Sequence, residues 1–207
     1  MRGGWKQIGA AGASLGALIA MGMAQANVAI EFIPGSADDV RDARVYEAIW
    51  ARDGARIVKA FENWTCLPFV EPKVAAIVTE AVSHSGGPDH PMRLRASYFR
   101  NVKQATLVHE LGHRHLWQLE ERLEGIDGHR TLYLVLDRVW AEVWGEQFAA
   151  ERIRHESSWH ASYDYAAAWK WVRSLTLGER RSLWNRLLAM NGFAADCRMP
   201  MRTASTP

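Results

Sequence analysis

The chain has 207 residues, which is enough for one domain with a full hydrophobic core, and we expect no second independent domain. Apolar residues make up 48% and charged residues 23% of the sequence, which are ordinary values for a globular protein. The formal net charge is only +2, and the arginine-rich stretches are interrupted by apolar residues. The composition therefore argues against a nucleic-acid partner.

Residues 1–26 have the three-part layout of a secretory signal peptide. Two basic residues precede an uncharged run rich in alanine and glycine, and small residues stand at Ala24 and Ala26. We expect cleavage before Asn27 and export to the periplasm or the medium. The alternative is a membrane anchor formed by residues 8–26, because the run is nearly long enough to span a bilayer. Its low content of Leu, Ile and Phe favours cleavage, so contact with a membrane is expected only if the segment is retained.

The first elements after this segment are predicted from periodicity. Helical spacing of apolar residues predicts a helix over residues 38–64, with Ser36 or Asp38 as its N-cap and Gly54 as a candidate break. The β-branched run of residues 73–82 predicts a mostly buried strand. Two cysteines, Cys66 and Cys197, would pair in an exported protein and would be buried thiols in a reducing compartment, and both readings stay open.

Residues 83–91, SHSGGPDHP, form a turn cluster. Its His84 and His90 are candidates for a second metal site, although a solvated loop is the favoured interpretation. Residues 92–99 alternate between apolar and polar side chains. This pattern predicts a strand that has one solvent-exposed face and lies near a sheet edge.

The chain is predicted to be almost entirely helical after Asn101. A small sheet followed by a mostly helical half is an α+β arrangement. The expected helices cover residues 102–122, 131–154, 162–174 and 178–191.

The stretch TLVHELGHRHLW contains the pattern H-E-x-x-H at His109, Glu110 and His113. Positions four apart share one face of a helix, so both imidazoles can reach one zinc ion at about 2.0–2.1 Å. Glu110 lies beside the first ligand, where it can accept a proton from a metal-bound water. Ordinary core or surface histidines are the alternative, but buried in this apolar setting each would need its own polar partner. We therefore favour a metal site.

A hydrolytic zinc site needs a third protein ligand and one open position. Glu142 and Glu146 are acids on an otherwise apolar face of the predicted helix over residues 131–154. This predicts that they are buried against the metal helix, meaning the helix that carries the H-E-x-x-H pattern. Gly112 and Gly145 would let the two helices approach closely.

These two elements together, H-E-L-G-H followed by E-V-W-G-E-Q-F-A, resemble the gluzincin metallopeptidases. The resemblance implies a zincin-like fold and one Zn²⁺ held by His109, His113 and Glu142. It also implies a residue at Glu146 that supports a ligand histidine. Glu146 stands where the family usually has a shorter Asp or Asn, so which glutamate binds the metal stays open, with Glu142 preferred. The resemblance covers about 50 residues at the level of these motifs.

The resemblance implies that residues 27–207 form one metallopeptidase-like domain that cleaves peptide bonds, with Glu110 as the general base. An extended peptide substrate would lie along the edge strand of residues 92–99. Four side chains are candidates to stabilise the oxyanion of the transition state: His155, His160, Tyr163 and Tyr165.

Three alternatives remain. The first keeps the metal but not the peptidase activity: a zinc hydrolase of a non-peptide amide, or a site whose natural metal is not zinc. The second is a binding or regulatory protein that keeps the zincin fold without turnover, although the presence of Glu110 beside both ligands argues against it. The third is a membrane-tethered interaction protein in which the motif is incidental.

Overall fold

The computed structural model describes residues 28–87, 89–159 and 162–200, and the predicted signal peptide lies outside them. The class is α+β and mostly helical, as predicted. In the described part of the chain, none of the helices combines the length and the apolar character needed to cross a bilayer. The elements are β1 Ala29–Pro34, α1 Val40–Thr65, β2 Lys73–Thr79, β3 Met92–Arg95, α2 Arg100–His115, α3 Gly128–Trp144, α4 Glu146–Ser157, α5 Tyr165–Ser174 and α6 Leu177–Met190.

The three strands form a parallel sheet in the order β1-β2-β3. Strand β1 was not predicted, because only one of its six side chains is buried and its sequence gives little alternation. Strand β3 lies at the edge of this order, as predicted, but it is only four residues long. Its outer side is paired in antiparallel fashion with the turn cluster: the His84 N–H donates to the Arg93 carbonyl (3.0 Å), and the Arg93 N–H donates to the His84 carbonyl (2.8 Å).

Helix α1 runs without a break through Gly54, so the predicted interruption there is wrong. A Cβ at this position would come within 2.9 Å of the Trp50 ring, which means that the glycine makes room for a neighbouring side chain. The N-cap residue is Asp39, and its side chain caps no backbone N–H but accepts a hydrogen bond from the Ser36 hydroxyl (2.7 Å).

The predicted helix over residues 131–154 is two helices, α3 and α4, separated at Gly145. Gly145 has φ +93°, in the region that glycine tolerates far better than other residues. The predicted helix over residues 102–122 is also shorter: α2 ends at His115, and a single 3₁₀ turn continues it to Gln118. Helices α5 and α6 agree with the prediction to within a few residues.

Cys66 and Cys197 form a disulfide, with the two sulfur atoms 2.05 Å apart. Cys66 directly follows α1, and Cys197 lies in the segment after α6. The bond therefore fastens the C-terminal segment to the end of the longest helix, across a separation of 131 residues. Of the two readings that the sequence left open, the structure has the disulfide.

Candidate metal centre

Helix α2 carries the H-E-x-x-H pattern in the middle of the molecule, where most of its residues are buried. His109 and Glu110 are 3% and 9% exposed, and His113 is half-buried. The two imidazoles lie one turn apart on one face of the helix, with ring centroids 5.0 Å apart. The predicted juxtaposition of these side chains is therefore present.

The third histidine of the cluster is His129, in the first turn of α3. Asp127 caps this helix by accepting a hydrogen bond from the Arg130 N–H (2.9 Å), and the cap places His129 beside α2. The His129 ring lies 4.7 Å from the His113 ring and 5.4 Å from the His109 ring. One nitrogen from each of the three rings lies within 4.8 Å of the others, which is close enough to hold one metal ion.

Gly112 allows the close approach of these two helices. A Cβ at this position would come within 2.6 Å of a methyl carbon of Leu132 on α3 and within 3.1 Å of Phe61 on α1. This contact agrees with the role suggested for Gly112 by the sequence. Gly145 has a different role, since it separates α3 from α4 instead of packing between helices.

The nitrogen atoms of the first two histidines have the spacing of ligands to a common ion. His109 Nε2 and His113 Nε2 are 3.2 Å apart. Two nitrogens bound tetrahedrally to zinc at 2.0–2.1 Å would be about 3.3–3.4 Å apart. The spacing and the nitrogen donors therefore both suit a zinc ion.

A buried carboxylate fixes the orientation of His109. Its Nδ1 lies 2.9 Å from Glu156 Oε1, and Glu156 Oε2 accepts hydrogen bonds from the Tyr133 hydroxyl (2.8 Å) and from Trp169 Nε1 (3.0 Å). A carboxylate only accepts hydrogen bonds, so His109 Nδ1 carries the proton. The Nε2 lone pair of the neutral ring is then directed toward His113, as a ligand atom requires.

Burial and neighbouring charge determine which rings are available as ligands. Burial, together with the nearby His109, lowers the pKa of His113 well below its ordinary value and the pKa of His129 to about 4. These two rings are therefore neutral at pH 7. Burial also opposes protonation of His109, but the charge and the hydrogen bond of Glu156, together with the charge of Glu110, outweigh this effect and raise the His109 pKa. The position next to His109 thus favours positive charge, which either a proton or a metal ion supplies.

Glu110 is the acid of the cluster. Burial raises its pKa to about 7, opposed by His109 and reinforced by Glu156. Glu110 directly follows the first of the three histidines on α2, and the charge of His109 acts on its carboxyl group. Its role as a general base stays a prediction.

The structure places Glu142 and Glu146 away from the histidines, so both predicted roles are corrected. Glu142 accepts hydrogen bonds from Asn63 Nδ2 (2.9 Å) and Trp64 Nε1 (2.8 Å) of α1. It follows His129 by thirteen residues on the same helix, about 20 Å along the axis. Glu146 pairs with Arg138 through two hydrogen bonds of 3.0 and 2.9 Å. The residue beside His109 and His113 is His129 in place of Glu142, and the carboxylate beside His109 belongs to Glu156 in place of Glu146.

Two of the four predicted oxyanion stabilisers lie beside the cluster. The Tyr163 ring stacks on His129 at 4.2 Å, and its hydroxyl donates to Asp127 (2.8 Å), so it supports the helix cap and the third histidine. The Tyr165 ring lies 5.2 Å from His129 and 6.4 Å from His109. Burial and the charges of Glu156 and Glu110 raise the Tyr165 pKa to about 12, which keeps its hydroxyl protonated.

The other two candidates are not brought to the cluster. His155 packs its ring against Trp159 at 5.7 Å and makes no ring contact with the three histidines. His160 lies outside the described residues. In the turn cluster, the His84 ring accepts a hydrogen bond from the Gly86 N–H (2.8 Å), and over residues 28–87, 89–159 and 162–200 no second group of three ligands occurs.

Comparison of the chain with protein-family models, with curated proteins and with solved structures finds no match.

Proposed function

We propose that this chain is an exported, zinc-dependent metallopeptidase in which His109, His113 and His129 hold one Zn²⁺ and Glu110 is the general base. The observation that carries the proposal is the convergence of three imidazoles, two of them neutral at pH 7, beside a buried carboxyl group. Three histidines with one open position are a ligand set of catalytic zinc. The gluzincin resemblance supports the catalytic role of α2, while the third ligand differs in kind from the glutamate of that family.

The proposed reaction assigns one task to each group around the scissile bond. A bound zinc ion would polarise the carbonyl group and lower the pKa of a water molecule. Glu110 takes the proton from the attacking water and passes it to the leaving amine. The Tyr165 hydroxyl, which is protonated, donates a hydrogen bond to the oxyanion. Glu156 keeps Nε2 of His109 turned toward the other ligands.

The strand-then-helix order of β3 and α2 supports a zincin-like fold. The pairing of β3 also means that the proposed peptide site differs from the one predicted at residues 92–99. The metal helix α2 directly follows β3, but the outer side of β3 is already paired with His84. An added peptide would therefore pair with the outer side of the segment around His84, and not with residues 92–99 as predicted. Arg114 holds this segment in place, because its Nη1 donates to the carbonyls of Ser85 (2.7 Å) and His90 (3.1 Å).

Export rests on two features. The segment of residues 1–26 has the layout of a cleaved signal peptide. The Cys66–Cys197 disulfide is compatible with an oxidising compartment, where such bonds persist.

The proposal predicts chelator-sensitive cleavage of peptides. The purified protein, loaded with zinc, is incubated with a mixture of random decapeptides, and the products are identified by mass spectrometry. We expect internal cleavage that stops after treatment with a chelator and returns when zinc is added. Zinc-loaded protein that cleaves no peptide but hydrolyses simple amides would favour the non-peptide alternative. Zinc binding without any turnover would favour the regulatory one.

Replacement of Glu156 tests the support of the metal centre. In the Glu156→Gln variant, the amide –NH₂ group faces donors from Tyr133, Trp169 and His109, so at least one contact is lost. We expect zinc affinity to fall about 10- to 100-fold, as measured by competition with a chromophoric chelator. The matched control is Glu146→Gln, at an exposed residue outside the cluster, for which we expect unchanged affinity. Lower zinc affinity in Glu146→Gln, with unchanged affinity in Glu156→Gln, would instead support Glu146 as the residue that holds a ligand histidine.

A further inference from the structure

A cleft outside the metal centre lies between α3, α4 and the junction of α5 and α6. It consists of two cavities, of about 390 and 430 Å³, that share Ile153 of α4 and Arg173 of α5. Small-molecule sites in proteins have volumes of about 300–1,000 Å³. The three histidines, Glu110 and Glu156 line neither cavity, so the cleft is separate from the proposed metal site.

The first cavity, of about 390 Å³, has an unbalanced charge. Its charged lining residues are Asp137, Arg138, Glu146, Arg154, Arg173 and Arg180. Four of these are arginines and two are acids, which leaves a surplus of two positive charges. The second cavity adds Lys170 and has no acid in its lining. A cleft in which one sign of charge dominates attracts ligands of the opposite sign.

Both acids of the cavity are already paired with the other two arginines. Asp137 accepts hydrogen bonds from Arg180 Nη1 (2.9 and 3.1 Å) and from Arg138 Nε (3.3 Å). Glu146 accepts two hydrogen bonds from Arg138 (3.0 and 2.9 Å). Arg180 and Asp137 are only 6% and 4% exposed, so their pair is a fixed part of the cavity wall. These four side chains balance one another in charge.

Arg154 of α4 and Arg173 of α5 carry the surplus charge. Both side chains are exposed, and neither makes a hydrogen bond or an ion pair within the described ranges of the chain. They belong to different helices and line the same cavity, so one small ligand in that cavity can meet both guanidinium groups. A ligand with two negative charges would balance them.

The rest of the cavity wall is apolar. Ala149 and Ile153 line it from α4, and Leu175 and Leu177 line it from the junction of α5 and α6. Ligand sites commonly combine such a wall with a few polar groups that fix the orientation of the ligand. The volume and the apolar wall therefore suit an organic anion better than a bare inorganic ion.

We propose that this cleft binds a small organic dianion, a phosphate ester or a dicarboxylate, through Arg154 and Arg173. A guanidinium group donates two parallel hydrogen bonds to phosphate or carboxylate oxygens and keeps its charge at any accessible pH. The apolar wall covers the organic part of the ligand. This site does not depend on the proposed peptidase function.

The binding test compares three probes on the purified chain. They are phenyl phosphate, glutarate and glutaramide, which is the neutral analogue of glutarate. Titration calorimetry is run at low ionic strength, because salt screens exposed charges, and without added zinc, so that no probe binds a metal ion. We expect phenyl phosphate or glutarate to bind about tenfold or more tightly than glutaramide. The tighter of the two dianions identifies the site as one for phosphate esters or for dicarboxylates.

The double variant Arg154→Gln/Arg173→Gln tests the two side chains. We expect the Kd of the preferred dianion to rise about tenfold or more. The matched control is Arg186→Gln/Arg198→Gln, which removes the same charge from exposed residues that line neither cavity and should keep the parental Kd. Equal binding of all three probes by the parent would overturn the proposal. A parental Kd in the first variant, or an equal loss in the control, would overturn it too.

A melting experiment separates ligand binding from a structural role. Arg154 and Arg173 are exposed and unpaired within the described ranges, so the free double variant should melt within about 2 °C of the parent. The preferred dianion should raise the melting temperature of the parent but not that of the variant. A free variant that melts clearly below the parent would mean that the two arginines stabilise the fold, and would contradict the assignment. Because neither zinc nor turnover is measured, failure here is separate from failure of the peptidase proposal.

Discussion

The Glu110→Gln variant is expected to bind zinc normally and to lose about 10²–10⁴-fold in kcat on any peptide that the parent cleaves. The glutamine has nearly the same shape as glutamate but cannot accept a proton from the attacking water. Glu110 is not one of the three converging ligands, so the metal should stay in place. Zinc content by elemental analysis and kcat from initial rates check the two parts of this prediction.

Glu142→Gln is the matched control for this measurement. Glu142 lies outside the cluster and binds Asn63 and Trp64, so its replacement should leave both zinc content and kcat close to those of the parent. A Glu110→Gln variant with parental kcat would exclude Glu110 as the general base. Loss of zinc in that variant would instead make Glu110 a ligand.

Removal of the disulfide is expected to have the largest effect on stability. The bond closes a loop of 131 residues, for which the loss of chain entropy in the unfolded state predicts a contribution of up to about 5 kcal/mol. In the double variant Cys66→Ser/Cys197→Ser, we expect the free energy of unfolding to fall by about 2–5 kcal/mol. The melting temperature should fall by about 5–20 °C for a chain of this size, as measured by calorimetry.

Reduction provides the control for the disulfide. A reducing agent should lower the melting temperature of the parent toward that of the double variant and should leave the double variant unchanged. Equal stability of parent and double variant would show that the cross-link adds nothing to the folded chain. The metal centre gives a separate readout, because zinc content at a temperature where both forms are folded should not change.

The metal helix could be predicted from the sequence because its signal is local. Positions four apart share a face, so His109 and His113 come together in any helix that contains them, and Glu110 follows as their neighbour. The strand at residues 73–79 could also be predicted from the sequence, since its residues are mostly β-branched or small and apolar, and they alternate between buried and half-buried positions. Nothing comparable marks β1, which is recognised as a strand only through its pairing with β2.

The third histidine could not be predicted from periodicity. His129 reaches the cluster because Asp127 starts a helix and Gly112 lets that helix approach, and both effects depend on the tertiary arrangement. A signal was nonetheless present: Asp127 directly before the apolar periodic residues of α3 is typical of a helix N-cap, and His129 follows it in the first turn. The apolar face around Glu142 and Glu146 predicted that both are buried against α2, which is wrong: both are exposed, and Glu142 contacts Trp64 of α1.

Glu146 was predicted to support a ligand histidine, and this prediction is wrong because the helix break at Gly145 was not foreseen. A single helix over residues 131–154 would keep one apolar face from end to end, and Glu146 would lie on it. The break at Gly145 reverses the chain, so that the next helix returns along α3 and brings Glu156 to His109. The backbone conformation of Gly145 therefore explains why Glu156, and not Glu146, contacts His109 on α2.

The zinc content of the parent chain, His129→Ala and Glu142→Gln tests the central claim most directly. The three purified proteins are supplied with zinc, dialysed and analysed for metal per chain. The three-histidine centre predicts about one zinc ion per chain in the parent and in Glu142→Gln, and little in His129→Ala. Zinc retained in His129→Ala but lost in Glu142→Gln would contradict the ligand set, and a parent chain that binds no zinc would contradict the metal centre itself.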